Sequence, residues 1–276
     1  MPALRISAIL ILVTLAVFLV KTIPATAQSS SQSPQAQKSA LQKAKDDYLF
    51  QFTKYQKAHE DYITASSNYL SFKTTIAKND AFSKTKEYLN QVNLLYLAYI
   101  LQVQEYGNNL KWDKSDFSKD ATDKTLKEES SFIKDYQQKI ADSKSLEDLP
   151  PLAKDLKEHI EKTSAPKINK ITAIYQIVQT ETTYDNFLDL SQTIENFITP
   201  KITDTNRSIL TNWQAEIKDI KEKIQTSLDK ARENNQKTRE DGNNDDQIRT
   251  TLQSLDEAKT QFQRSKQLFE EILRVT

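Results

Sequence analysis

The chain has 276 residues, 38 basic and 38 acidic side chains, no cysteine and only two glycines. So few glycines exclude folds that depend on tight turns, bulges and phosphate loops, and the lack of thiols excludes disulfide frameworks, zinc-thiolate sites and cysteine nucleophiles. A balanced charge excludes a global attraction to nucleic acid or to anionic membrane. What remains is an all-α reading: long helices with few connections, each burying one apolar stripe and solvating a broad charged face.

The N-terminus reads as an export signal. Arg5 precedes an apolar run from Ala8 to Val20, and Ala25 and Ala27 stand at the small-residue positions before a cleavage point at Gln28. The competing reading of residues 1–27 is a short membrane anchor, in contact with the bilayer through residues 6–20 if it stays uncleaved. That run is short against the roughly 20 residues a span needs, whereas Lys21, just beyond it, fits an anchor held on the other side better. Either way the remainder is expected outside the cytoplasm: periplasmic, at the cell surface or extracellular. Removal of Arg5 and Lys21 leaves 36 basic residues against 38 acidic. Residues 28–38 are polar and low in complexity and read as a flexible linker.

Residues 39–276 read as the bundle, with 144–150 as the boundary if it is divided. A first helix is expected from Gln37 to Lys78. Leu41, Tyr48, Tyr55, Tyr62, Tyr69 and Ile76 recur every seven residues, with Ala44, Ala58, Ala65 and Phe72 at the paired positions, a large and small seam of coiled-coil period. Asn79 and Asp80 carry N-cap chemistry for a second helix. Its centre, Leu94 to Leu101, is eight consecutive apolar residues, so cover is expected on every side. Gly107, followed by Asn108 and Asn109, predicts a left-handed C-cap. A third helix over Lys119–Ser143 follows an irregular stretch in which Trp112 covers one end of the bundle. Pro150 and Pro151 open a fourth element that runs to about Ile198, with a kink near Ser164 because Pro166 removes a backbone donor. The last two helices carry Leu210, Trp213, Ile217, Ile220, Ile224, Leu228 and Ala231, then Ile248, Leu252, Leu255, Phe262, Phe269 and Ile272. Between them Arg232–Gln247 reads as a solvated hairpin tip turning near Gly242. The expected architecture is an elongated bundle of about five to seven helices in long antiparallel coiled-coil hairpins.

Few constellations could carry chemistry. His59 and His159 are the only histidines. A di-metal carboxylate bundle needs Glu three residues before its histidines, and those positions hold Gln56 and Leu156. Asp155 and His159 share a helix face, which is ordinary surface chemistry. Ser83-Lys-Thr-Lys86 matches a Ser-x-x-Lys box in letters only. Asp241, Asn243 and Asp245 alternate as calcium ligands do and Ile248 fits that pattern, but Asp246 replaces the turn glycine and Leu252 the bidentate glutamate. No catalytic, cofactor-binding or metal residue is therefore assigned, and no cofactor. The expected function is non-catalytic: an exported helical protein, envelope-associated or secreted, acting as a structural or protein-interaction module. The alternative is a membrane-acting protein that exposes the apolar helix 92–103 on contact with a bilayer.

Overall fold

The computed structural model describes residues 39–238 and 245–275. The signal and linker expectations for residues 1–38, and the turn near Gly242, lie outside them. The described residues contain no strand and form the all-α bundle that the composition predicts. The helices are α1 (Ala40–Phe72), α2 (Thr75–Asn108), α3 (Lys119–Asp142), α4 (Leu149–His159), α5 (Ala165–Ile198), α6 (Arg207–Gln236) and α7 (Asp245–Val275). Two compact units divide the described residues: those up to Tyr106 together with Glu128–His159, and Gly107–Lys127 together with the described residues from Ile160 onward.

In the first unit α1 and α2 run antiparallel. As the number rises along α1 it falls along α2: Tyr48 meets Tyr99 at 6.3 Å between ring centres, Tyr55 meets Tyr88 at 5.8 Å, and Asp61 pairs with Lys84 at 3.2 Å. Ala44, Tyr55, Ala58, Tyr62 and Ala65 are the buried residues of α1, so the expected alternation of ring and alanine is the contact face. The seam stops earlier than its spacing suggests. Lys73 adopts a left-handed conformation (φ 51°, ψ 25°) and its N–H closes on the Tyr69 carbonyl, while the Thr74 hydroxyl accepts from the Ala77 N–H. This pair of caps makes the turn at Lys73 and Thr74, five residues before Asn79, which lies within α2. Phe72 and Ile76 consequently leave the seam and are exposed.

Helix α2 buries Tyr88, Leu89, Val92, Leu95, Tyr96, Ala98, Ile100 and Val103. Cover is not complete, because Leu101 is 41% exposed while polar Asn93 is fully enclosed. Helix α3 is fastened to α2 by hydrogen bonds from Gln137 Nε2 to Asn90 Oδ1 (2.7 Å) and from Lys86 Nζ to the Ala141 carbonyl (2.6 Å). Ser145 and Asp148 form a capping box ahead of α4, whose first turn accommodates Pro150 and Pro151 because N–H groups there need no helical partner.

In the second unit the core is formed by α5, α6 and α7, with Ile194, Ile198, Trp213, Ile217, Ile224, Leu255, Phe269 and Ile272 among its buried members. Antiparallel pairing of α6 with α7 follows from Arg264 bound to Glu216 at 2.8 Å and from Ser227 beside Glu257. The break expected before Pro166 takes the form of one π turn, Ile160–Ser164, that joins α4 to α5. Widening the turn lets the helix continue past a residue that cannot donate. The tip expected to be wholly solvated is a helix as far as Gln236, with Asn235 and Thr238 buried, and Lys170 Nζ donates to the Thr238 carbonyl at 2.9 Å. The described part of the tip, as far as Thr238, is thus partly enclosed although it lacks any large apolar residue.

Gly107 does not cap α2 in a left-handed conformation; helix α2 continues through it. Its role is close approach. A Cβ there would lie 2.5 Å from both Cζ and Oη of Tyr175, and the Gly107 carbonyl accepts the Trp112 indole N–H at 2.9 Å while that indole meets the Tyr175 ring edge-on. Gly107→Ala is expected to destabilise the chain by roughly 1–3 kcal/mol, the cost of overpacking, and much of that loss should return in the Gly107→Ala, Tyr175→Leu double variant. Denaturant melts of the two variants check this, and equal losses in both would contradict the steric account.

Candidate functional site

The first unit concentrates the side chains with chemical potential, and packing surrounds them. Tyr88 is the centre of one group. Its ring stacks on Tyr62 at 5.0 Å and lies 5.8 Å from Tyr55 and 5.3 Å from His59. Desolvation, reinforced by the neighbouring Tyr55 hydroxyl, drives its phenol well above the ordinary range. Tyr99 is pushed up to about 12, again chiefly by burial and then by Tyr48. These phenols remain neutral and act as amphipathic packing, with His59 as one more flat ring in the row.

A second group joins α3 to α4. The His159 Nε2 lies 2.9 Å from Glu129 Oε2, and the Glu129 side chain is only 3% exposed. Phe132 covers the imidazole with ring centres 3.4 Å apart, and Tyr136 stacks on Phe132 at 4.9 Å. Chemically, a carboxylate beside an imidazole can orient the ring and hold a proton between them. Here the covering aromatic makes the pair a clamp between helices. The sequence pairing of His159 with Asp155 on one face misses this partner, although Glu129 carries a legible signal: it interrupts the stripe of Leu126, Ile133, Tyr136 and Ile140 at an inward position.

Asn93 is a third feature. It is fully buried in α2, and neither the nitrogen nor the oxygen of its amide finds a hydrogen-bond partner among the described residues. In the second unit, Glu181 receives Arg232 Nε at 2.8 Å, and the same guanidinium reaches Asp229 at 2.7 Å. Tyr175 is also pushed up to about 12, mainly by burial, with the Thr122 hydroxyl opposing and Asp123 adding to the rise.

Among the described residues no group of three or more His, Asp or Glu side chains is arranged to hold a metal ion. The partial calcium pattern begins at Asp241, outside those residues. Of its later members, Asp246, Ile248 and Leu252 are helical in α7, and Asp246 is engaged by Arg249 at 2.8 Å. The Ser83 to Lys86 stretch lies within α2, where Lys86 binds the carbonyls of Ala141 and Ser143 and Lys84 binds Asp61 and Glu87. No family model matches this chain, and neither does any curated protein or solved structure.

Two outcomes test these assignments. Asn93→Leu is expected to raise stability by roughly 1–3 kcal/mol, since it removes a buried amide that gains no bond; a thermal melt shifted downward would show that the amide has a partner. The raised phenols set an alkaline limit. Because Tyr99 and Tyr175 stay protonated in the folded chain beyond their unfolded value, the stability they contribute is complete below a pH of about 10 and is lost as pH rises through about 12. Phenolate absorbance followed together with helical circular dichroism should show a late titration step that coincides with unfolding.

Proposed function

We propose that this chain is a non-catalytic, exported helical protein, envelope-associated or secreted, that presents helix α1 to a protein partner. One observation carries the reading. Besides its buried seam, α1 bears Leu49, Ile63 and Leu70, exposed by 60%, 52% and 66% and spaced in multiples of seven residues. This row lies about a third of a turn around the helix from the tyrosine seam, and with Gln56 at the position between Leu49 and Ile63 it forms an interrupted second row with the period of a helix-in-groove contact. Single exposed apolar residues are common on protein surfaces, whereas a row in register along one helix is a surface for another molecule. The two histidines, which would be first choices for acid-base work, serve packing instead: His59 in the tyrosine row and His159 on Glu129 beneath Phe132. The export component rests on the apolar run from Ala8 to Val20 and on the small residues Ala25 and Ala27.

A photoreactive residue placed at Ile63 in the full chain, expressed in its own cells, tests both components. One dominant protein crosslinked in the envelope or secreted fraction, with no crosslink from the exposed position Lys57, is the expected result. A chain recovered from the cytosol, or equal labelling from both positions, would overturn the proposal. Rapid dye release from lipid vesicles would favour the alternative in which 92–103 opens onto a bilayer.

A further inference from the structure

The turn between α1 and α2 has a surface chemistry unlike the rest of the first unit. Leu70, Phe72 and Ile76 are exposed by 66%, 70% and 82%, three large apolar side chains within seven residues. The turn that presents them is tightly built: Lys73 closes α1 in a left-handed conformation, and Thr74 caps α2 with its hydroxyl on the Ala77 N–H at 3.2 Å and its carbonyl on the Lys78 N–H at 2.9 Å. A backbone this well capped holds its apolar side chains out in a fixed arrangement, so they are not the frayed end of a seam.

The charge pattern says what such a tip fits. From Tyr62 to Asn79 the sequence contains no carboxylate, in a chain where acids number 38, and the gaps between the apolar and basic residues are filled by serine, threonine and asparagine. Lys78 is engaged with Glu147 at 2.6 Å, which leaves Lys73 as the cation at the apex. Exposed apolar side chains flanked by hydroxyls and by Lys73, with the nearby Glu147 carboxylate neutralised by Lys78, complement the boundary between acyl chains and anionic headgroups. No helix among the described residues is long and apolar enough to cross a membrane, so the contact is shallow.

We infer that the α1–α2 turn is a lipid-interface site, inserting Leu70, Phe72 and Ile76 into the headgroup region of an anionic bilayer with Lys73 among the lipid phosphates. Leu70 is shared with the protein-facing row on α1, whereas Phe72, Lys73 and Ile76 belong to the turn alone, so variants at Phe72 and Lys73 test this site without touching Leu49 or Ile63. Withdrawing one large apolar side chain from the interface weakens binding by roughly tenfold or more, and removing a lysine near an anionic surface by roughly fivefold.

The absence of cysteine allows a clean test on the full chain. A polarity-sensitive fluorophore at S71C reports the tip, and the same probe at the exposed position K57C reports the side of α1. With vesicles of phosphatidylcholine and phosphatidylglycerol, emission from the tip should move to the blue while emission from K57C stays put. The half-saturating lipid concentration should rise roughly tenfold or more in F72D and several-fold in K73E, the latter only when phosphatidylglycerol is present. These positions are exposed, so unchanged circular dichroism is expected in every variant. Three results would each overturn the inference: no emission change at the tip, equal changes at both probes, as adsorption through residues 6–20 alone would give, or a tip shift that grows with protein concentration without lipid, which would make a second copy of the chain the occupant.

Discussion

The first unit depends on the contact of one ring with its neighbours. Tyr88 lies in α2 against Tyr55, His59 and Tyr62 of α1, and it is 1% exposed. Alanines 58 and 65 flank that row, and their small side chains let the two backbones approach closely enough for the rings to stack. Without disulfides, this interdigitation of large and small side chains is what joins α1 to α2. The remaining contacts of the unit are consistent with it, since Gln51 to Gln91 and Asp61 to Lys84 fall in the same antiparallel register.

Around that seam the structure manages its polar groups in two different ways. Glu129 and His159 are enclosed together, so each charge or dipole meets a partner and an aromatic cover. Asn93 is enclosed in α2 with neither amide atom bonded, and the buried Gln102 of the same helix likewise leaves its Oε1 without a partner. A buried amide without partners costs stability. In the second unit, buried hydroxyls such as Ser191 and Thr251 instead bond to carbonyls of the preceding turn, which satisfies them within their own helix.

The surface has features of its own. The apolar row of α1 and the turn at Lys73 share Leu70 and differ in chemistry: the row alternates with charged residues such as Lys57 and Glu60, while residues 62–79 carry hydroxyls and lysine and no acid of their own, Glu147 reaching Lys78 from outside the stretch.

The helical class, the tyrosine and alanine rows, the prolines opening α4 and the stripes of α6 were all legible in the sequence, because periodicity reports which face is buried and needs no knowledge of the neighbour. The turn between α1 and α2 was harder to place. Asn79 and Asp80 are better cap residues by type, yet the chain turns at Lys73 and Thr74, where the pairing of the two helices leaves Phe72 and Ile76 outside the seam. Gly107 is similar: its composition signal was a turn, and its actual reason is the Tyr175 ring, 68 residues away, pressed against its Cα. The Glu129 and His159 pair also joins residues on separate helices. Local pattern therefore determined what each helix buries, while tertiary structure alone decided what it is buried against, since a long-range contact is fixed by the packing of both partners and leaves little trace in the sequence around either.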